Sequence, residues 1–279
     1  MTRRGSRASV PGHVAAAEDG AVGSLTPVSA DVRYQSEQAF HDQAFEEGTR
    51  SKVSRSYDVL QECTNVYAGK LMALAGPGID VLEYGCGVGT DAFALAKTGS
   101  VVSAIDISEE GIRQTRERAA AEGLNISCHQ MNAEDLSFDA SVFDVVCGRG
   151  ILHHLELEHA FDQLRRVMRP DGVGLFMEPL GHNPLINEFR RRTPSLRTPD
   201  EHPILLRDFE LAKAYFGQVD VEFYGLFTLL ALLVPESKLR DQLVARLSSM
   251  DAAVLPRIGK TARFAWYAIM RMSAPRPTA

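Results

Sequence analysis

An α/β fold with a doubly wound, largely parallel sheet is predicted by three features of the sequence. Short apolar runs alternate with longer amphipathic ones from residue 79 onward. The first of these runs ends in closely spaced glycines, as a strand turning into a helix does. With 279 residues, the chain is long enough for one large domain with additions.

The elements follow in chain order. Residues 1–30 are small, polar and proline-bearing with no periodic apolar face, and are expected to form a flexible tail. Residues 31–78 are expected to form an N-terminal helical lid. Ala39, Phe40, Ala44 and Phe45 fall at helical spacing in a short helix over 34–48, and a longer helix over about 54–75 is stopped by Gly76-Pro77-Gly78. Within the main domain, 79–279, strands are expected at 80–84, 101–105, 125–130, 142–147 and 172–178, with helices at 89–97, 108–122 and 157–168 between them. Prolines at 179, 184, 194, 199 and 203 break this rhythm and mark a cap insertion near 180–206. A helix at 207–215, a strand at 219–225, an apolar segment within 223–250 that carries a helix at 236–249, and a last strand at 263–271 complete the chain.

Composition narrows the function classes. Hydrophobic residues make up 45% and charged residues 24%, as in a globular protein. Thirty basic residues stand against 36 acidic ones, a net charge of -6, and no basic cluster interleaves with aromatics, so no nucleic-acid partner is expected. Cys63, Cys86, Cys128 and Cys147 form no CxxC pair, so neither a metal site nor a disulfide framework is expected, and a cytoplasmic location follows. The longest apolar run, Leu226–Val234, is far short of the roughly 20 residues that span a bilayer, so no membrane partner is expected and the run is to be buried by protein or ligand.

The glycine turn carries the most chemistry. Val81–Thr90 reads VLEYGCGVGT, with Gly85, Gly87 and Gly89 spaced GxGxG rather than the GxGxxG of dinucleotide enzymes. Glu83, just ahead of them, suits a cationic ligand better than a pyrophosphate; the alternative is that it pairs with a neighbouring Lys or Arg. One strand later Asp106 ends an apolar run, placed to accept from ribose hydroxyls or, alternatively, to cap the turn, while Ser108 is placed to cap the next helix.

With these residues the chain resembles the class I S-adenosylmethionine (SAM)-dependent methyltransferases over about 80–180. The resemblance implies a Rossmann-like seven-stranded sheet whose last strand is antiparallel, and SAM as cofactor with S-adenosylhomocysteine (SAH) as product. It also implies donor contacts at Glu83, Gly85, Gly87, Asp106 and Ile107, at Asn132, Ala133 and Glu134 in an adenine-contacting loop, and at Gly148 behind the methionine end. The family usually has Asp where Asn132 stands; an amide can both accept from an adenine amino group and donate to a ring nitrogen.

Acceptor chemistry falls to residues at the carboxyl ends of later strands. His153 is expected to face substrate as a proton acceptor, with His154 orienting or packing, because adjacent residues on a turn cannot face the same way. Glu178 ends the next strand and either serves the acceptor or pairs with Arg149 or one of Arg190, Arg191 and Arg192. His182, Asn183, Tyr34 and His41 are further polar groups near the rim, more simply read as solvated or packed. The Glu178–Pro184 segment and the tail resemble bacterial small-molecule methyltransferases of specialised metabolism. That implies a hydrophobic small-molecule substrate, including C-methylation of a terpenoid side chain of an indole alkaloid coupled to cyclisation. O- or N-methylation and a NAD-type oxidoreductase are the alternatives. The 34–48 helix is expected to allow a homo-oligomer by packing across a neighbouring subunit.

Overall fold

A computed structural model of the chain describes residues 30–47, 59–194, 198 and 201–277. The tail expected over 1–30 lies, apart from Ala30, outside the described residues, as does the start of the helix expected at 54–75. Helices α1 (Ala30–Glu46) and α2 (Gln61–Leu74) come first. There follow β1 (Asp80–Tyr84), α3 (Thr90–Lys97), β2 (Val101–Asp106), α4 (Glu109–Ala121), β3 (Ile126–Gln130), β4 (Phe143–Arg149), α5 (Leu157–Val167) and β5 (Met168–Pro179). The remainder is α6 (Pro184–Arg192), α7 (Leu206–Tyr215), β6 (Phe216–Tyr224), α8 (Lys238–Val254) and β7 (Tyr267–Pro275).

The seven strands form one sheet in the order β3-β2-β1-β4-β5-β7-β6. Only β7 is antiparallel, lying between β5 and β6. The Rossmann-like expectation, antiparallel last strand included, is therefore borne out. Because successive strand residues face opposite sides, Leu82 and Tyr84 enter one core with Phe161, Phe176 and Phe216, while Val81 enters the other with Val102, Cys147 and Ile269. Burial on both faces explains why these strands read as nearly continuous apolar runs.

The expected lid divides in two. Helix α2 packs Cys63, Tyr67 and Leu71 into the second core and belongs to the body of the domain. Helix α1 alone crosses the carboxyl ends of the strands, where its Asp42 accepts from the Ser108 hydroxyl and from the Glu110 N–H at 3.1 Å. Ser108 caps α4 as expected, its hydroxyl accepting from Gly111 N–H at 3.0 Å.

Strand β7 lies four residues further along than the sequence pattern suggests, because Gly259–Phe264 is taken up in a 3-10 turn. The apolar run is only partly buried. Thr228–Leu233 forms another 3-10 turn that buries Thr228 and Ala231 but leaves Leu233 81% exposed. Its backbone is fixed by a buried acid: Asp251 accepts from Phe227 N–H at 2.7 Å, Leu226 N–H at 3.2 Å, Thr228 N–H at 3.3 Å and the Thr228 hydroxyl at 3.0 Å. No helix among the described residues is long and apolar enough to cross a membrane.

Removing the Asp251 carboxylate leaves buried N–H groups unsatisfied at a cost of about 1–3 kcal/mol per group. Asp251→Ala is therefore expected to destabilise the fold by roughly 2–4 kcal/mol, with Asp251→Asn recovering part of the loss, as measured by urea unfolding.

Candidate active site

The site starts at the turn after β1. Gly85, Gly87 and Gly89 have φ of 74°, 53° and 77°, left-handed values that glycine alone adopts cheaply. The Gly85 and Cys86 N–H groups donate to the Ile105 carbonyl at 3.0 and 2.8 Å, joining the turn to β2. Asp106 completes the junction. One of its oxygens accepts from Gly87 N–H at 2.7 Å and the other from Ser108 N–H at 2.9 Å. Each oxygen keeps a second lone pair, and the carboxylate lines a crevice at the carboxyl ends of the strands.

Around the crevice stand Gly85, Ile105, Asp106 and Ile107 from the first half of the sheet, Met131, Asn132, Ala133 and Glu134 from the loop after β3, Arg149 at the end of β4, and Gly150, Ile151, His154 and Leu155 beyond it. Helix α1 closes it with Arg33, Tyr34, Glu37, His41 and Phe45. Phe45 sits so close to the glycine turn that a Cβ on Gly87 would lie 3.0 Å from its ring.

Most of the residues expected to hold a donor meet here, though not all with free groups. The Asn132 side-chain oxygen accepts from Glu134 N–H at 2.9 Å, which leaves its amide nitrogen as the group for a ligand. Ala133 has its carbonyl engaged by the Tyr84 hydroxyl. Glu134 is spanned by both oxygens to Arg33 Nη2 at 2.7 and 2.6 Å and also accepts from Glu156 N–H at 2.8 Å, so it ties α1 to the loop. Gly148 does not line the crevice: a Cβ there would lie 2.6 Å from the Tyr84 carbonyl, so its need is close strand packing.

Glu83 also stays out of the crevice. It turns to the first turn of α3 and accepts from Asp91 N–H at 3.2 Å and Ala92 N–H at 2.8 Å, a carboxylate at a helix N-terminus. Burial and the adjacent Asp91 carboxylate push its pKa up. The Lys or Arg partner considered from the sequence belongs instead to Asp91, whose Oδ2 is 2.9 Å from Arg149 Nε.

The two histidines exchange their expected places. His153 is buried, with Nδ1 2.8 Å from Glu178 Oε2, and lies outside the crevice lining, whereas His154 is part of that lining. In a 3-10 turn, successive residues point about 120° apart, and Leu152–His154 forms one. Burial holds the His153 pKa well below its usual value. Glu178 accepts from the Ile151 and Leu152 N–H groups, both at 2.9 Å, and burial pushes its pKa up to about 7. It fixes the turn from beneath, with His153 rather than an arginine as its side-chain partner. His182 accepts from Leu206 N–H at 3.0 Å, and Asn183 caps α6 by accepting from Leu185 N–H at 3.0 Å.

Arg33 and Glu37 are crevice residues that the apolar pattern of α1 does not announce. A signal existed: Arg33, Glu37, His41 and Phe45 recur every four residues, and this spacing puts them on one helix face.

The sequence family described as a methyltransferase domain matches residues 81–172. An uncharacterized protein of Mycobacterium tuberculosis is 36% identical over 99 residues, 35% of this chain and 36% of that protein. The ubiquinone biosynthesis O-methyltransferase of Haemophilus ducreyi is 32% identical over 109 residues, 37% of this chain and 46% of that enzyme. The chain thus spans between about a third and just over a half of the length of the curated relatives it matches. Among solved structures, a Haemonchus contortus phosphoethanolamine N-methyltransferase bound to S-adenosylhomocysteine superposes with a TM-score of 0.54 at 19% identity, over 75% of this chain and 53% of that one. The fold of this chain is one that methyltransferases use.

Glu178 supplies a pH signature. Its folded pKa of about 7 stands above the ordinary 4.5, so between these values the folded chain holds a proton that the unfolded chain has lost. Its contribution to stability is complete below pH 4.5 and is lost as pH rises through about 7. The depressed His153 pKa acts in the opposite sense. Glu178→Gln removes the first contribution, so its melting temperature is expected to rise relative to wild type as pH goes from 4.5 to about 7.

Proposed function

We propose that this chain is a SAM-dependent methyltransferase acting on a hydrophobic small molecule. The observation that carries the reading is the convergence on one crevice of the Asp106 carboxylate, the Asn132 amide and the apolar walls Ile105, Ile107, Met131 and Leu155. A carboxylate with spare lone pairs suits ribose hydroxyls, and apolar walls with one amide suit adenine. The match of 81–172 to a methyltransferase domain supports methyl transfer over hydride transfer.

When bound, SAM supplies an electrophilic methyl group on a sulfonium. The residues of the chain then have to orient the acceptor and exclude water, and such positioning can supply much of the acceleration. Tyr34, Phe45, Ile151 and Leu155 give the crevice an aromatic and aliphatic lining. That lining suits an alkene acceptor, and C-methylation of a terpenoid side chain of an indole alkaloid, coupled to cyclisation, is the specific acceptor we propose. O- or N-methylation is the second reading, favoured by His154, an imidazole in the wall where an acceptor would lose its proton.

Calorimetric titration with SAH tests the donor. Wild type is expected to bind, and Asp106→Asn to bind about ten- to a hundredfold more weakly, the loss of a charge-assisted hydrogen bond. Absence of SAH binding to wild type removes the proposal. For the acceptor side, incubation with labelled SAM and terpenoid indoles is expected to add one methyl mass. His154→Ala is expected to lower turnover at least tenfold with SAH affinity kept; unchanged turnover would take His154 out of the acceptor site.

A further inference from the structure

Glu37, His41 and His154 turn their polar atoms toward one point where α1 meets the turn after β4. Glu37 Oε2 lies 3.3 Å from His41 Nε2 and 3.3 Å from His154 Nδ1. All three ligand atoms lie within 4.8 Å of one another, and the two imidazole planes are inclined at 76°. Glu37 is 5% exposed, yet neither of its oxygens has an aligned hydrogen bond, and neither has His154 Nδ1. The Thr198 hydroxyl, also buried, lies beside the Glu37 carboxylate and favours its charged form, again without an aligned hydrogen bond. Buried polar atoms rarely stay unsatisfied, and a group of them aimed at one place marks a missing ligand.

We propose that Glu37, His41 and His154 bind one divalent transition-metal ion of the zinc class. The spacing fits that ion. Tetrahedral zinc, with bonds of about 2.0–2.1 Å to nitrogen and oxygen, sets its ligand atoms about 3.3–3.4 Å apart. Two edges of the triangle already have this length, and the third is no longer than 4.8 Å. Two imidazoles and a carboxylate also form a donor set that zinc accepts while keeping a fourth position open. Here the fourth position is on the crevice side, since all three ligands line it. Thr198 would serve the second carboxylate oxygen, as outer groups do around metal-bound carboxylates.

Because two ligands come from α1 and one from the turn after β4, a bound ion would clasp α1 to the body of the domain. Arg33 already makes one such clasp, reaching the His154 carbonyl at 3.1 Å and Glu134. The proposal stands apart from the methyl-donor reading, since no donor contact enters it, and it replaces the reading of His154 as proton acceptor, because an imidazole bound through Nδ1 carries its proton on Nε2.

The test uses the full chain, stripped of metal with a chelator and titrated with Zn2+ alone near pH 7.5, where imidazoles are neutral enough to ligate. One ion per chain is expected to bind, and Co2+ in its place is expected to give the intense visible absorption of a four-coordinate site. Glu37→Gln, His41→Ala and His154→Ala should each weaken binding at least tenfold while circular dichroism shows them folded. The exposed His159, changed to Ala, should leave binding unaltered. Failure of wild type to bind one ion overturns the proposal. So does binding that survives Glu37→Gln but is lost in Glu201→Gln, which would shift the ion to the neighbouring group of His153, His154 and Glu201.

Discussion

The Asp106 carboxylate is the tie on which the site depends. Its two oxygens hold the N–H of Gly87 and the N–H of Ser108, two charge-assisted bonds worth about 1.5–3 kcal/mol each. One fixes the glycine turn after β1 and the other the start of α4. Everything placed on those two elements inherits its position. Phe45 settles on the glycine turn, and Asp42 reads the amino end of α4 through Ser108 and Glu110. Helix α1 is thus registered against the strand ends by a residue that also borders the crevice. A single acid serves both the scaffold and the site.

Much of this was legible in the sequence because it follows from local rules. Strands buried on both faces must be apolar throughout, and helices between them must show one apolar face. The glycines at 85, 87 and 89 announced a tight turn from strand to helix, and Asp106 with Ser108 announced a capped turn. Where the reading went astray, long-range geometry decided. Glu83 looked free to face a cation, but the α3 amides that claim it are defined only once the turn has folded. His153 and His154 are equivalent in sequence, and the 3-10 turn separated them. Strand β7 slipped by four residues because the preceding Gly259–Phe264 segment folded on itself instead of extending.

Helix α1 shows a different kind of limit. Ala39, Phe40, Ala44 and Phe45 suggested an ordinary apolar stripe, yet the side that meets the crevice carries Arg33, Glu37 and His41 as well as Phe45. A helix that covers a ligand cleft has to match the chemistry of the cleft, and hydrophobic periodicity does not register that requirement. Buried charges on such a face are tolerable only when each finds a partner. Arg33 finds Glu134, and Asp42 finds the Ser108 hydroxyl and the Glu110 N–H.

Strand β7 has a consequence for the order in which the domain can be completed. It lies between β5 and β6, so both of those strands expose an unpaired edge until it arrives. During synthesis from the amino end, residues 267–275 emerge from the ribosome after every other strand of the sheet. The nascent chain can close β3-β2-β1-β4-β5 and the crevice residues on them early, while β6 waits without a neighbour. That interval, with two sticky edges facing each other across a gap one strand wide, is when the chain is most exposed to pairing with another copy of itself.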